Sequence, residues 1–247
     1  WIVDDTGFLK QGKHSVGVQR QYTGSAGKVA NCQVGTSLVV TTRTMHVGID
    51  FELYLPKSWI DDAERRREAR IPDDIEFKTK PQQALDMIRR AVDGGVPTGT
   101  ILADCGFGDS NEFRDGVRAL GLHYAVGVEA PTKVRRVDRL GRAQGNRVGL
   151  LSIAQRLRMK RRYRRITWRP GTKVDLWSHF AFERVKPASK DHGRREPEAV
   201  WLVVEWPDGE PAPTGYFFVS LPKLSRKQMV RLIKERYRTE AVYSELK

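Results

Sequence analysis

The sequence is poor in cysteine. It has two, Cys32 and Cys105, far apart, which excludes a disulfide framework and a four-cysteine zinc site and suits a reducing cytoplasm. Its five histidines form no metal-ligating spacing. No apolar run approaches the roughly 18–20 residues needed to cross a bilayer, and no signal-peptide pattern is present, so no membrane association is expected. Acid is also scarce: 30 Asp and Glu stand against 44 Lys and Arg, a net charge of +14. Such a balance points to a polyanionic partner, most commonly nucleic acid, with a generally basic surface as the plain alternative. An initiator Met is lacking too, and a helical pattern runs up to Lys247. The sequence therefore reads as a fragment of a longer chain.

What is present begins with strands. A short apolar run, residues 1–3, is followed by "KVANCQVGTSLVVTT" and "MHVGIDFELYLP", both rich in β-branched and alternating residues. Their proximity suggests antiparallel hairpins. "DDAERRREAR" reads as a short charged helix. "PQQALDMIRRAVDGG" reads as a better one, opened by Pro81, with Ala84, Leu85, Ile88 and Val92 at helical spacing and a Gly94-Gly95 stop. "GTILAD" is a buried strand, "SNEFRDGVRALG" a helix capped at Ser110 or Asn111, and "HYAVGVEA" the next strand. Three strands, helix, strand, helix, strand is the order of a mixed α/β sheet, antiparallel first and then parallel with crossover helices.

From Pro131 the character changes. Residues 132–173 hold fifteen Lys and Arg and one acid, Asp138, a density suited to neutralising phosphates. Within this stretch "QRLRMKRRYRRITWRPGTK" interleaves Tyr163 and Trp168 with Arg161, Arg162, Arg164 and Arg165, the candidate DNA-contacting residues. Three further strands follow, "VDLWSHFAFERV", "AVWLVVEWPDG" and "GYFFVSLP", and then a single long helix, "LSRKQMVRLIKERYRTEAVYSELK", capped near Ser225. The expected organisation is a core over residues 1–131, a basic β-rich insertion over 132–222, and a final helix of the core over 223–247.

The acids are unevenly placed. Asp4 and Asp5 end the first apolar run, Asp104 ends "TILAD" before a Gly-rich turn, and Glu240 lies on the last helix. Strand ends in a mixed sheet converge on one edge, and a packed helix can bring a third carboxylate there. Three such acids repel one another unless cations hold them. Mg²⁺ suits the role, since it takes carboxylate oxygens and keeps coordination positions for phosphate. Two ions roughly 3.5–4 Å apart clamp the attacking and leaving oxygens of a phosphoryl displacement. The plain alternatives are a turn or helix-cap Asp and a solvated helical Glu. Gly106 and Gly108 are a lone G-x-G, a weak nucleotide signal better read as turn glycines. Trp168, Trp177, Trp201 and Trp206 are read mostly as core, with one of the four open as a stacking partner for an extruded base.

These residues carry a resemblance. "VDDTGFLKQGKHSVGVQRQYTGSAGKVANCQVG", "LADCGFGDS" and "RYRTEAVYSELK" resemble the three blocks of DDE-type insertion-sequence transposases, the bacterial DDE superfamily endonuclease group. The third block fits R-x-x-x-E-x-x-x-x-x-x-K as Arg236, Glu240 and Lys247. Where the family pattern has Tyr three before the Arg, this sequence has Ile233. The resemblance implies an RNase H-like core with a β-rich insertion between the second and third acids. It implies a Mg²⁺-dependent endonuclease and strand transferase, with Mn²⁺ as a substitute ion. Asp4, Asp104 and Glu240 are then the catalytic, metal-holding acids, and Arg236 and Lys247 hold phosphates flanking the scissile bond. The plain readings are i,i+4 ion pairing for Arg236 and a dipole-favoured terminal Lys for Lys247. The implied partners are double-stranded DNA, as terminal inverted repeats and target, and a second copy of the chain on that DNA, in a bacterial cytoplasm at the nucleoid.

Alternation along a strand leaves Asp4 and Asp5 open, because Ile2 and Val3 make both faces apolar. The family's D-x-T pattern assigns the metal role to Asp4. Asp5 then becomes a turn residue or an acceptor for a cation such as Lys10. Two other readings stand beside the transposase: a catalytically inactive DNA-binding remnant of one, and a Rossmann-like nucleotide enzyme suggested by "LADCGFG" alone.

Overall fold

The computed structural model describes residues 1–42, 44–188 and 197–246. The chain is mixed α/β and divides into two compact units, one formed by Trp1–Thr98 with the segment from Arg238 onward, the other by Gly99–Tyr237.

The first unit is built on an antiparallel sheet of β1 (Ile2–Leu9), β2 (Gln19–Thr23), β3 (Lys28–Thr41) and β4 (His46–Tyr54). β3 is central. Cys32 pairs with Leu9 of β1 and with Gln19 of β2, so these lie on opposite edges of β3, and β4 extends the edge of β2 from Val34 to Thr41. β1 is longer than the apolar run predicts: Asp4 and Asp5 lie within the strand, not at its tip. The connection after β4 holds α1 (Lys57–Ile60) and α2 (Ala63–Glu68), where buried Trp59 donates its indole N–H to the Val18 carbonyl at 2.8 Å.

α3 (Lys80–Asp93) forms where the sequence predicts a helix. Thr79 and Gln82 make a capping box, Pro81 stands in the first turn, and Gly95 follows at φ +73°. Its buried stripe, Ala84, Leu85, Met87, Ile88 and Ala91, packs on the sheet, while Arg90 binds Asp50 and Glu52 of β4 at 2.9 and 3.1 Å. Ile2, Val3, Leu38, Val39 and Ile88 are fully buried; each such side chain contributes about 1.5–3 kcal/mol.

The second unit contains β5 (Ile101–Ala103), α4 (Cys105–Gly108), α5 (Asn111–Ala119) and β6 (Tyr124–Val128), then β7 (Lys133–Val137), β8 (Ala143–Gly149), α6 (Leu150–Met159), β9 (Arg164–Arg169), β10 (Leu176–Pro187), β11 (Val200–Glu205), β12 (Gly215–Val219) and α7 (Arg226–Lys234). The strand order is β5-β6-β12-β11-β10-β7-β8, with β9 also on β10. β5 and β6 are parallel and wholly buried, as strands joined by crossover helices are. Among the described residues, the other pairings in this unit are antiparallel. An antiparallel sheet followed by a parallel pair with crossover helices is the strand and helix order of an RNase H-like fold.

The final segment differs from the expected single helix. Ser225 caps α7 in a capping box with Gln228, but a 3-10 turn (Glu235–Tyr237) interrupts before α8 (Arg238–Leu246). In an unbroken helix Glu240, two turns after buried Ile233, would share its face. Thr239, Val242 and Tyr243 become the buried stripe and Glu240 is left exposed.

Candidate active site

Each acid of β1 is oriented by its partner across the sheet. Asp4 lies opposite Ser37 and Asp5 opposite Thr36, and directly opposed residues project from the same face. The Ser37 hydroxyl lies 2.7 Å from the Tyr243 hydroxyl of α8. Thr36 donates to Gln83 Oε1 of α3 at 3.1 Å, and Lys80 of α3 binds Asp5 Oδ2 at 2.7 Å. α8 thus covers the face that carries Asp4, and α3 covers the face that carries Asp5. The cation that holds Asp5 is Lys80, not Lys10. Asp4 is 8% exposed and takes the Asp5 backbone N–H on Oδ1 at 3.0 Å.

Glu240 stands in the first turn of α8, one turn before Tyr243, so α8 carries it on the Asp4 side of the sheet. Val242 lies 3.5 Å from the Cβ position of Gly48, and Glu245 binds His46, both on β4. Sequence reasoning missed Ser37, Lys80 and Tyr243. The one signal available was Tyr243 at i+3 from Glu240.

Asp104 lies at the end of β5, as the sequence predicts, and caps α4 by accepting the Gly106 N–H on Oδ1 at 2.9 Å. Its position depends on close backbone packing. A Cβ on Gly108 would lie 1.9 Å from the Gly127 carbonyl, and one on Gly127 would lie 3.0 Å from the Cys105 nitrogen. The Gly108 carbonyl in turn accepts from Arg114, whose guanidinium is buried under Phe218 and also binds Asn111. Gly108 therefore serves helix–strand packing rather than a phosphate loop. Beside it, burial, reinforced by the charges of Asp104, Asp109 and Glu129, pushes the Cys105 thiol upward. That thiol stays protonated and is a poor nucleophile.

Asp4 and Glu240 belong to one compact unit and Asp104 to the other. Among the described residues, no three His, Cys, Asp or Glu side chains are gathered into a metal-sized group. The donor chemistry nevertheless fits a hard cation, since all three candidates offer carboxylate oxygens.

Of the basic candidates, Arg236 falls in the 3-10 turn and Lys247 lies outside the described residues. Arg161 and Arg162 are exposed in the turn after α6, and Arg164 and Arg165 are exposed on β9. Arg165 stacks on Trp177 at 4.0 Å, and Arg158 on Trp206 at 4.1 Å. Trp168 packs edge-on against Phe180, and Trp201 lies under Arg184.

A family model described as DDE superfamily endonuclease matches residues 1–174, more than half of the chain. A probable transposase for insertion sequence element IS701 from Microchaete diplosiphon is 28% identical over 130 residues, which is 52% of this chain. The matched stretch spans 31% of that relative's length.

Proposed function

The chain belongs to the DDE superfamily endonucleases, and from that membership we propose that it is the catalytic domain of a DNA transposase, cutting DNA at transposon ends and joining the freed 3′ ends to a target. The observation that carries this reading is the division of labour on β1: Asp4 faces α8, the helix of Glu240, while Lys80 holds Asp5 on the other face. Asp4, Asp104 and Glu240 are the acids that would hold Mg²⁺, or Mn²⁺ in its place. Such an ion, when bound, stabilises charge on the oxygens of an in-line phosphoryl displacement.

The chain's own residues do the rest. The Asp5 N–H fixes the Asp4 carboxylate, Ser37 and Tyr243 tie α8 to the strand beside it, and the Gly108–Gly127 approach sets Asp104. Arg236 and Lys247 hold phosphates beside the scissile bond. Arg161, Arg162, Arg164 and Arg165 follow the backbone of double-stranded DNA, both terminal inverted repeat and target. Residues 1–131 and 223–247 form the RNase H-like core and 132–222 its insertion. The working form is a homodimer assembled on DNA, in the bacterial cytoplasm at the nucleoid.

The test is a nicking assay on the element's flanking DNA with Mg²⁺ or Mn²⁺ against Ca²⁺, using wild type, Asp104→Ala and Glu240→Ala. The expected result is nicking by wild type alone, with DNA binding by the variants intact or tighter, because each removes a negative charge from the phosphate path. Near-wild-type nicking by either variant removes that acid from the set. Binding without metal-dependent nicking by wild type favours an inactive DNA-binding remnant.

A further inference from the structure

One edge of β10 is paired discontinuously. β9 pairs with it from Leu176 to Phe180 and β7 from Val185 to Pro187, and neither reaches residues 181–184. A cavity of about 370 Å³ opens at this gap, within the range of ordinary ligand pockets.

Cations converge on it from five elements. Arg162 and Arg164 enter from the start of β9 and the turn before it, Arg136 from β7, and Arg156 and Lys160 from the end of α6. Arg184 comes from β10 itself and Arg226 from the first turn of α7. The one carboxylate in the lining, Glu183, is already bound by Arg136 at 3.3 Å and by Arg156. The remaining positive charge has no acid to answer it within the cavity.

Two of the guanidinium groups lie over aromatic rings. Arg184 lies over Trp201 at 5.3 Å and Arg226 over Phe182 at 5.6 Å. Arg184 Nη1 is buried and has no hydrogen-bond partner among the described residues. A buried donor without an acceptor is costly, and a charged one more so. Burial accordingly lowers the Arg184 pKa below the usual arginine range. The Arg184 side chain also lines the cavity, so an anionic oxygen seated there answers its charge. Planar forks from several directions match the tetrahedral, multiply acceptor oxygens of phosphate better than a single carboxylate.

We propose that this notch between β7 and β9 is a phosphate-binding pocket that seats one phosphate group, supplied either by the backbone of DNA or by free phosphate. The DNA source rests on the function proposed above; the pocket itself does not. It gives the basic stretch a fixed register point, where a run of exposed arginines alone gives only attraction.

The test uses the full chain without divalent metal, so that cleavage plays no part. Wild type, Arg184→Gln and the double variant Arg162→Gln/Arg226→Gln are compared in two measurements. One is the salt dependence of affinity for a DNA duplex. The other is the rise in melting temperature with inorganic phosphate over chloride at matched ionic strength. If the backbone is the source, each variant flattens the plot of log affinity against log salt, by about 0.9 for each phosphate no longer neutralised. If the source is free phosphate, the phosphate-induced rise disappears in the variants while the salt slope holds. Wild-type slope together with a wild-type phosphate response in both variants overturns the pocket. The double variant decides the matter should Arg184→Gln fail to fold. Loss of nicking in the acid variants leaves these readings untouched, so the pocket and the catalytic proposal stand or fall separately.

Discussion

The hydroxyl of Tyr243 lies 2.7 Å from that of Ser37, the residue paired with Asp4 across the sheet. This contact joins the helix of one proposed catalytic acid to the strand beside the other. Tyr243→Phe removes the hydrogen bond and leaves buried Ser37 less well satisfied, at a cost of about 1 kcal/mol. Thermal melting should register that loss. Nicking should fall further than DNA affinity, because α8 loses its tether while the basic stretch is untouched. Equal losses in both would make Tyr243 a packing residue only.

Asp4 and Asp5 should part company under the same substitution. Asp4→Asn is expected to abolish metal-dependent nicking. Asp5→Asn keeps much of it, because what it loses is the pair with Lys80. Both partners of that pair are partly solvated, and such a bridge contributes about 0–1 kcal/mol. If Asp5→Asn abolishes nicking and Asp4→Asn spares it, the two roles must be exchanged.

The glycines of "CGFG" predict a graded pair. Gly108→Ala puts a Cβ 1.9 Å from the Gly127 carbonyl, whereas Gly106→Ala meets Asp104 Oδ1 at 3.2 Å. The first is overpacked against backbone and should lose about 1–3 kcal/mol or more, displacing Asp104 and reducing nicking. The second should be much milder. Melting curves and nicking rates of the two, side by side, check the order.

Replacing Arg161, Arg162, Arg164 and Arg165 together by Ala should weaken binding to all DNA sequences alike. The salt slope should flatten by about 0.9 for each phosphate these arginines neutralise. Arg165 also stacks on Trp177, so some loss of stability should accompany it. An unchanged slope would leave these arginines as a solvated face.

The legibility of the sequence varied with the kind of signal available. α3 could be read outright because Pro81, the apolar period from Ala84 to Val92 and the Gly94-Gly95 stop are all local. The position of Asp104 at a strand end was equally plain. The side to which Asp4 points was not legible from alternation, since Ile2 and Val3 are both buried; it is set by cross-strand partners and by a helix far along the chain. The basic stretch concealed β7, β8, α6 and β9, because charged residues on exposed positions mask the apolar period. The interruption before α8 contains neither Pro nor Gly, so nothing local announces it.

The first unit is discontinuous, and this has a consequence in time. Ser37 and Tyr243 are 206 positions apart. A ribosome adding about 5–20 residues per second needs roughly 10–40 s to travel between them. Through that interval the Asp4 face of β1 and β3 waits without α8, and the whole second unit must emerge before the cover arrives. A nascent chain therefore carries Asp4 long before the helix of Glu240, and under the function proposed above no cut is made until α8 docks.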